Sequence, residues 1–168
     1  MCLYQRSDKR GTIYLIVWVD DVVIVAENQR VVDEFMQQIS NKFTVKDLGP
    51  LRYFLGIQFE LKPGCVIMTQ QNYGIQVLDR FGMSKAHPSK TPMVNNVHDE
   101  LRAHIDDPNL DVTMTKRYQE LVGSLIYLEQ CTRPHLSYPT NLLGQFMSRP
   151  NKFHWELAKK CWRDRRSL

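Results

Sequence analysis

The sequence contains no hydrophobic run long enough to cross a membrane. Its longest apolar stretch, residues 13–19, is followed at once by Asp20 and Asp21, whereas a membrane span needs about 20 consecutive apolar residues. The N-terminal residues soon turn polar and lack the apolar centre of a signal peptide. We therefore expect no membrane span within this sequence and no signal peptide at residues 1–6.

Cysteine is also scarce, with four residues among 168 and no C-x-x-C pair. The spacing argues against a disulfide-stapled fold, and we expect reduced thiols in an intracellular compartment. None of the histidines has a cysteine or histidine partner at the spacing of a zinc site. They are His87, His98, His104, His135 and His154.

The small excess of positive charge, +4 overall, is confined to the C-terminal end. Residues 149–168 contain seven basic and two acidic side chains, while the preceding 148 residues contain 15 basic and 16 acidic ones. A basic segment of this kind suits nucleic acid or another anionic surface, but it is equally typical of a solvated helical face. The candidate nucleic-acid-binding residues are Lys159, Lys160, Arg163, Arg165 and Arg166.

The first half of the sequence has the pattern of two hairpins around a helix. β-Branched and aromatic residues predict strands at 13–19 and 22–26, joined by a hairpin with Asp20 and Asp21 at or near its tip. A helix over residues 29–42, capped by Asn28, follows, and residues 43–45 return to strand character. A second hairpin covers 51–70, with arms 53–61 and 65–70, and Gly56 marks a bulge or a close backbone approach.

The second half reads as helical. A helix over residues 71–81 ends at Gly82, and the acidic, proline-containing residues 87–113 predict a linker or long loop. Three apolar stripes at helical spacing follow, so the fold class is α+β rather than a regular βαβ alternation. The stripes are Tyr118, Leu121, Val122, Leu125 and Leu128; Leu142, Leu143, Phe146 and Met147; and Trp155, Ala158 and Trp162.

We interpret two small motifs as structural and not as catalytic. We interpret His154, beside Trp155, as a packed helix start rather than a general base. Ser124, after Gly123, does not lie in a G-x-S-x-G nucleophile elbow. We expect the small residues there to permit close helix packing.

Asp20 and Asp21 are the most informative residues. Adjacent carboxylates repel each other and resist burial, and a divalent cation resolves that repulsion. Mg²⁺ binds through one or two carboxylates, and a pair of such ions catalyses phosphoryl transfer. The simpler alternative is a surface turn with two solvated carboxylates. Apolar strands on both sides make that alternative less favourable.

In this context Trp18-Val19-Asp20-Asp21 resembles the Tyr-x-Asp-Asp box of reverse transcriptases. The resemblance extends from about residue 2 to residue 160. Over this range the sequence is similar to the polymerases of copia-type LTR retrotransposons. The motifs that carry it are residues 43–57, 70–73, 78–83, 91–93, 118–128, 132–134, 146–150 and 154–155.

The resemblance implies a partial polymerase palm, built of antiparallel hairpins packed on a helix, over residues 1–70. Residues 71–86 would form a thumb-like helix and 87–113 an acidic linker. Residues 114–168 would form a helical thumb and connection region with a divergent basic tail.

The resemblance also implies a function, that of a fragment of an RNA-directed DNA polymerase within a Pol polyprotein. Asp20 and Asp21 would be catalytic ligands of Mg²⁺ or Mn²⁺ in two-metal nucleotidyl transfer. Trp18 replaces the usual tyrosine, keeping the aromatic ring without the hydroxyl. The primer-grip-like residues would be Tyr53, Phe54, Leu55 and Gly56.

The implied partners are an RNA or DNA template with its primer, and a deoxynucleoside triphosphate. The implied location is the cytoplasm or a virus-like particle, with the nucleus as an alternative. No membrane partner is expected.

Departures from the family define the alternatives. The family's fingers and remaining catalytic aspartate would lie upstream of Met1, so we expect no polymerisation by this chain alone. His135 and Pro139 replace the usual Asp and Ala, and residues 161–168 leave the family pattern. The alternatives are a non-catalytic nucleic-acid-binding remnant and a non-functional relic of a retroelement.

Overall fold

The structure is a computed structural model that describes residues 2–164. Two compact units divide between Leu51 and Arg52, and the mixture of small antiparallel sheets and helices confirms the α+β class. No helix within the described part of the chain is long and apolar enough to cross a membrane. The elements are β1 (Cys2–Asp8), β2 (Gly11–Trp18), β3 (Asp21–Ala26), α1 (Gln29–Ser40), β4 (Tyr53–Phe54), β5 (Ile57–Lys62), β6 (Cys65–Thr69), α2 (Gln71–Arg80), α3 (Val97–Ala103), α4 (Val112–Cys131), a 3₁₀ turn (Pro134–Leu136), α5 (Ser137–Gly144) and α6 (Lys152–Trp162).

The first unit is an antiparallel sheet of order β1-β2-β3 with α1 packed against β2 and β3. The predicted hairpin is confirmed, with Trp18 opposite Asp21. Asn28 caps α1 by accepting a 3.2 Å hydrogen bond from the Val31 amide. β1 is absent from the sequence prediction, because most of its side chains are exposed and it lacks an apolar run. The buried residues of this unit are Ile13, Val23 and Val31.

Two details of the predicted strands are wrong. Residues 43–45 form no strand and are exposed; their β propensity has no neighbouring strand to pair with. The predicted arm 53–61 is two strands, because the chain reverses at Leu55 and Gly56 and pairs Phe54 with Ile57. The result is a second antiparallel sheet of order β4-β5-β6.

The helices of the second unit enclose one apolar core. All five residues of the predicted α4 stripe are buried, and Leu143, Ala158 and Trp162 from the other two stripes join them. Gly82, at φ +68°, ends α2. Its amide donates to the Asp79 carbonyl at 3.0 Å and the Met83 amide to the Leu78 carbonyl at 2.7 Å. This is the Schellman motif expected for a C-terminal glycine.

The segment 87–113 differs from the predicted linker. It contains α3, and Met93 and Val97 are buried in the core cluster of the second unit. The helix is only seven residues long and lies between prolines, so its periodic signal is weak. The sheet β4-β5-β6 groups with the helices, whereas the sequence prediction places it with the first 70 residues.

Candidate functional site

The predicted carboxylates lie at the tip of the β2–β3 hairpin. Val19 and Asp20 form its two-residue turn, and Asp21 is the first residue of β3, paired with Trp18. Asp20, Asp21 and Trp18 are all exposed. The ladder therefore presents two adjacent carboxylates and an aromatic ring at one end of a sheet.

Val19 gives this tip an unfavourable backbone conformation. Its φ is +52° and its side chain is 83% exposed. A positive φ is rare for a β-branched residue and costs about 1–3 kcal/mol. Packing of the exposed side chain does not offset that cost, so the conformation is imposed by the paired strands on either side. A two-residue hairpin turn requires a positive φ, which explains why the strain lies at Val19.

The donor atoms at the tip fit a hard divalent cation in kind. Carboxylate oxygens are preferred by Mg²⁺, which keeps water and substrate phosphates as its other ligands. Within residues 2–164 no group of three or more His, Cys, Asp or Glu side chains could hold a metal ion. The tip itself offers two carboxylates, fewer than the three side chains that such a group would need.

The predicted primer-grip-like residues are strand β4, Tyr53–Phe54, and the β4–β5 turn that follows it. Leu55 and Gly56 have φ of +50° and +75°, while Tyr53 is exposed and Phe54 half-buried. The Tyr127 hydroxyl donates a hydrogen bond to the Leu55 carbonyl. A Cβ at Gly56 would lie 2.6 Å from the Tyr127 oxygen. Of the two predicted alternatives at Gly56, the structure thus has the close approach, made by a side chain, and a turn in place of the bulge. Sequence reasoning missed Tyr127, which is 72 residues from Leu55.

Of the described basic C-terminal residues, Lys159 already has partners within the fold. Lys159 forms a 2.7 Å ion pair with Glu156, and its ammonium lies 5.6 Å from the centre of the Trp155 ring. The guanidinium of Arg117 lies 6.0 Å from the same ring. Lys160 and Arg163 are half-buried. Arg165 and Arg166 lie outside the described residues.

His154 is a packed helix start, which confirms the predicted interpretation. It shares a capping box with Asn151 and stacks on Phe146 at a ring separation of 3.9 Å. Burial lowers the pKa of His154 to about 4, so the ring is neutral at pH 7.

The expectation of close helix packing at Gly123 is wrong. Nothing lies within 4 Å of a Cβ added there. The neighbouring Ser124 hydroxyl donates to the Glu120 carbonyl of its own helix at 2.8 Å.

Comparison with known proteins gives a consistent family. The sequence model of the family described as reverse transcriptase (RNA-dependent DNA polymerase) matches residues 1–95, more than half of the chain. No solved structure matches the chain significantly.

Several curated proteins are similar along almost the whole chain. The Retrovirus-related Pol polyprotein from transposon RE2 of Arabidopsis thaliana is 36% identical over 96% of this chain and 11% of its own length. The corresponding polyprotein from transposon TNT 1-94 of Nicotiana tabacum is 31% identical over 94% of this chain and 12% of its own length. An uncharacterized mitochondrial protein of Arabidopsis thaliana is 32% identical over 89% of this chain and 60% of its own length.

The chain thus spans about one ninth of the Pol polyproteins that it matches and 60% of the shorter mitochondrial relative. The family match covers both β2–β3 and β4–β5, the two hairpins described above. The chain belongs to the reverse transcriptase (RNA-dependent DNA polymerase) family and corresponds to a fragment of the copia-type retrotransposon enzyme.

Proposed function

We propose that this chain supplies two of the catalytic carboxylates of an RNA-directed DNA polymerase that acts as part of a longer Pol polyprotein. The observation that carries the proposal is the β2–β3 turn. Two adjacent exposed carboxylates, Asp20 and Asp21, directly follow a strained Val19 backbone at the end of a paired hairpin. Pairing of β2 with β3 imposes this turn conformation and so holds the two carboxylates at the tip.

In this proposal Asp20 and Asp21 hold Mg²⁺ or Mn²⁺. The metal would stabilise the charge that develops on the attacking and leaving oxygens of nucleotidyl transfer. The chain's own contribution is to fix the two carboxylates on a short, paired turn, which limits their movement relative to β2 and β3. Trp18, opposite Asp21, offers an apolar ring face beside the carboxylates.

The proposed partners are a template with its primer and a deoxynucleoside triphosphate. The β4–β5 turn, with Tyr53 exposed beside it, would face the primer terminus. Residues 1–70 would then belong to the palm, and the helices from α2 onward to the thumb and connection. Support for this assignment comes from the family match over residues 1–95, which includes the β2–β3 hairpin and the β4-β5-β6 sheet.

The test is primer extension by the protein translated from the complete reading frame that contains this chain. Extension with Mg²⁺ or Mn²⁺ should fall at least a hundredfold in Asp20→Asn, while Asp33→Asn on α1 retains activity. We expect the 168-residue chain alone to be inactive, because two-metal chemistry needs a further bridging carboxylate. Extension by the chain alone, lost in Asp20→Ala, would contradict that expectation.

A non-catalytic role in nucleic-acid binding is the second candidate. Arg117 and Lys159, the latter still paired with Glu156, lie over Trp155, and this pair of cations suits the phosphates of a nucleic-acid backbone. The affinity of the chain for duplex DNA would then fall with salt, with a log–log slope of about −0.9 per phosphate contacted. Salt-independent binding, or no binding, would argue against this role. A retroelement relic with no function would fit a chain that aggregates instead of melting cooperatively.

A further inference from the structure

Tyr127 on α4 contacts the backbone of the β4–β5 turn at two consecutive residues. Its hydroxyl donates to the Leu55 carbonyl, and its oxygen lies where a side chain at Gly56 would begin. Both turn residues have positive φ, at +50° and +75°. A leucine in this conformation is strained, so a contact that holds its carbonyl also stabilises the turn.

The phenol ring of Tyr127 is itself held in place. Tyr73 of α2 packs edge-on against it, with ring centres 4.9 Å apart. Burial raises the pKa of the Tyr127 phenol, so the hydroxyl remains a donor at neutral pH. Nearby, the buried Gln70 side chain accepts a 2.7 Å hydrogen bond from Thr132 at the C-terminal end of α4. The turn is thus anchored to a fixed part of the helical core.

The neighbouring β5–β6 turn lacks this kind of anchoring. Gly64 in that turn has φ +70°, almost the same as Gly56, yet nothing lies within 4 Å of a Cβ added to it. The two turns lie in one sheet and differ in their contact with α4. A turn of this kind in this sheet can therefore form without a contact from a helix, as the β5–β6 turn does.

We propose that Tyr127 is a positioning residue that holds the Leu55–Gly56 turn in place for the primer terminus. The identity of the ligand, the end of a primer strand, rests on the proposed function. The way in which Tyr127 holds the turn rests on the contacts described above. Tyr127 acts through the backbone of Leu55, with its ring on the helix side of the turn. Its loss should alter where the primer end lies more than how tightly the duplex binds.

The first test measures the anchor without nucleic acid. The Phe59 amide donates to the Arg52 carbonyl at 2.9 Å and pairs the strands that flank the turn. In Tyr127→Phe of the full chain, hydrogen exchange at this amide should accelerate about fivefold relative to amides of β6 and α4, because one hydrogen bond is lost. An unchanged exchange ratio would overturn the anchor.

Tyr118→Phe is the matched control. Tyr118 lies on the same helix, and its hydroxyl also donates to a backbone carbonyl, that of Leu143, at 2.8 Å. Its removal should lower the stability of the second unit without a selective effect at Phe59. A selective acceleration in both variants would show a general loosening of α4 and would overturn the assignment to Tyr127.

The second test measures the primer. A DNA primer on an RNA template, with 2-aminopurine as the terminal primer base, reports duplex affinity by anisotropy and the environment of the primer end by fluorescence. Tyr127→Phe should leave the Kd within about twofold but change the terminal fluorescence, whereas Tyr118→Phe changes neither. Equal fluorescence in wild type and Tyr127→Phe would overturn the inference. This binding test uses the protein of the complete reading frame. If its wild type binds no duplex, the nucleic-acid part of the proposed function fails, and the exchange test still decides the anchor.

Discussion

Asn151 and His154 cap the start of α6 reciprocally: the Asn151 side chain accepts from the His154 amide at 3.1 Å, and His154 Nδ1 accepts from the Asn151 amide at 3.0 Å. Only a neutral ring can accept through Nδ1. Burial opposes protonation and holds the pKa of His154 at about 4, against an ordinary value of 6.5.

This pair predicts loss of stability in mild acid. Above pH 6.5 the ring is neutral in both states; between pH 6.5 and 4 only the unfolded chain gains the proton, so stability falls as pH falls. The loss should be on the order of 3 kcal/mol and level off below about pH 4. His154→Gln, which preserves the N3 acceptor, should flatten this dependence in urea titrations at several pH values. The exposed His87→Gln should leave it intact; an equal slope in all three proteins would contradict the prediction.

Gly56→Ala should destabilise the second unit by more than 2 kcal/mol, since it adds a strained φ and places a Cβ 2.6 Å from the Tyr127 oxygen. Gly64→Ala has the same backbone strain without the contact and should cost about 1 kcal/mol. Thermal unfolding followed by circular dichroism measures both. Equal losses of unfolding free energy in the two variants would show that the close contact with Tyr127 does not affect stability.

Val19→Gly should raise the free energy of unfolding of the first unit by about 1 kcal/mol, because relief of the positive φ exceeds the entropy cost of glycine. The control is Val25→Gly in β3, also exposed but in a strand interior, where glycine is destabilising. Urea titrations followed through the methyl resonances of Ile13 and Val23 report this unit. Destabilisation by Val19→Gly would show that the turn is not strained.

Gly123→Ala should stabilise the second unit by up to about 1 kcal/mol, since α4 gains helix propensity and the new methyl meets open space. Gly82→Ala also meets open space, but its φ of +68° makes the substitution unfavourable, so its effect should have the opposite sign. Differential scanning calorimetry distinguishes the two. A lower melting temperature for Gly123→Ala would contradict the claim that a methyl group at this position meets open space.

The features predicted correctly from the sequence have strong local signals. The α4 stripe repeats at helical spacing over eleven residues, from Tyr118 to Leu128, and Asn28 and Gly82 are cap residues with a known backbone role. The β2–β3 hairpin follows from two apolar strands separated by two aspartates. In each case neighbouring residues contain the whole signal.

The missed features depend on distant contacts or weak local signals. The reversal at Leu55 and Gly56 lies within an apolar run, and its contact is with Tyr127, far along the chain. β1 is an exposed edge strand recognisable only by its pairing with β2. The roles of Asp20 and Asp21 in metal binding remain predictions, because geometry alone does not measure affinity for a cation.

The most direct measurement is therefore Mn²⁺ titration of the isotope-labelled chain by NMR. Paramagnetic broadening should begin at the amides of residues 18–22 and disappear in the double variant Asp20→Asn, Asp21→Asn, while Asp33→Asn, on the exposed face of α1, behaves as wild type. Broadening that is absent from the hairpin, or that persists in the double variant, would contradict the proposal that Asp20 and Asp21 are the metal ligands.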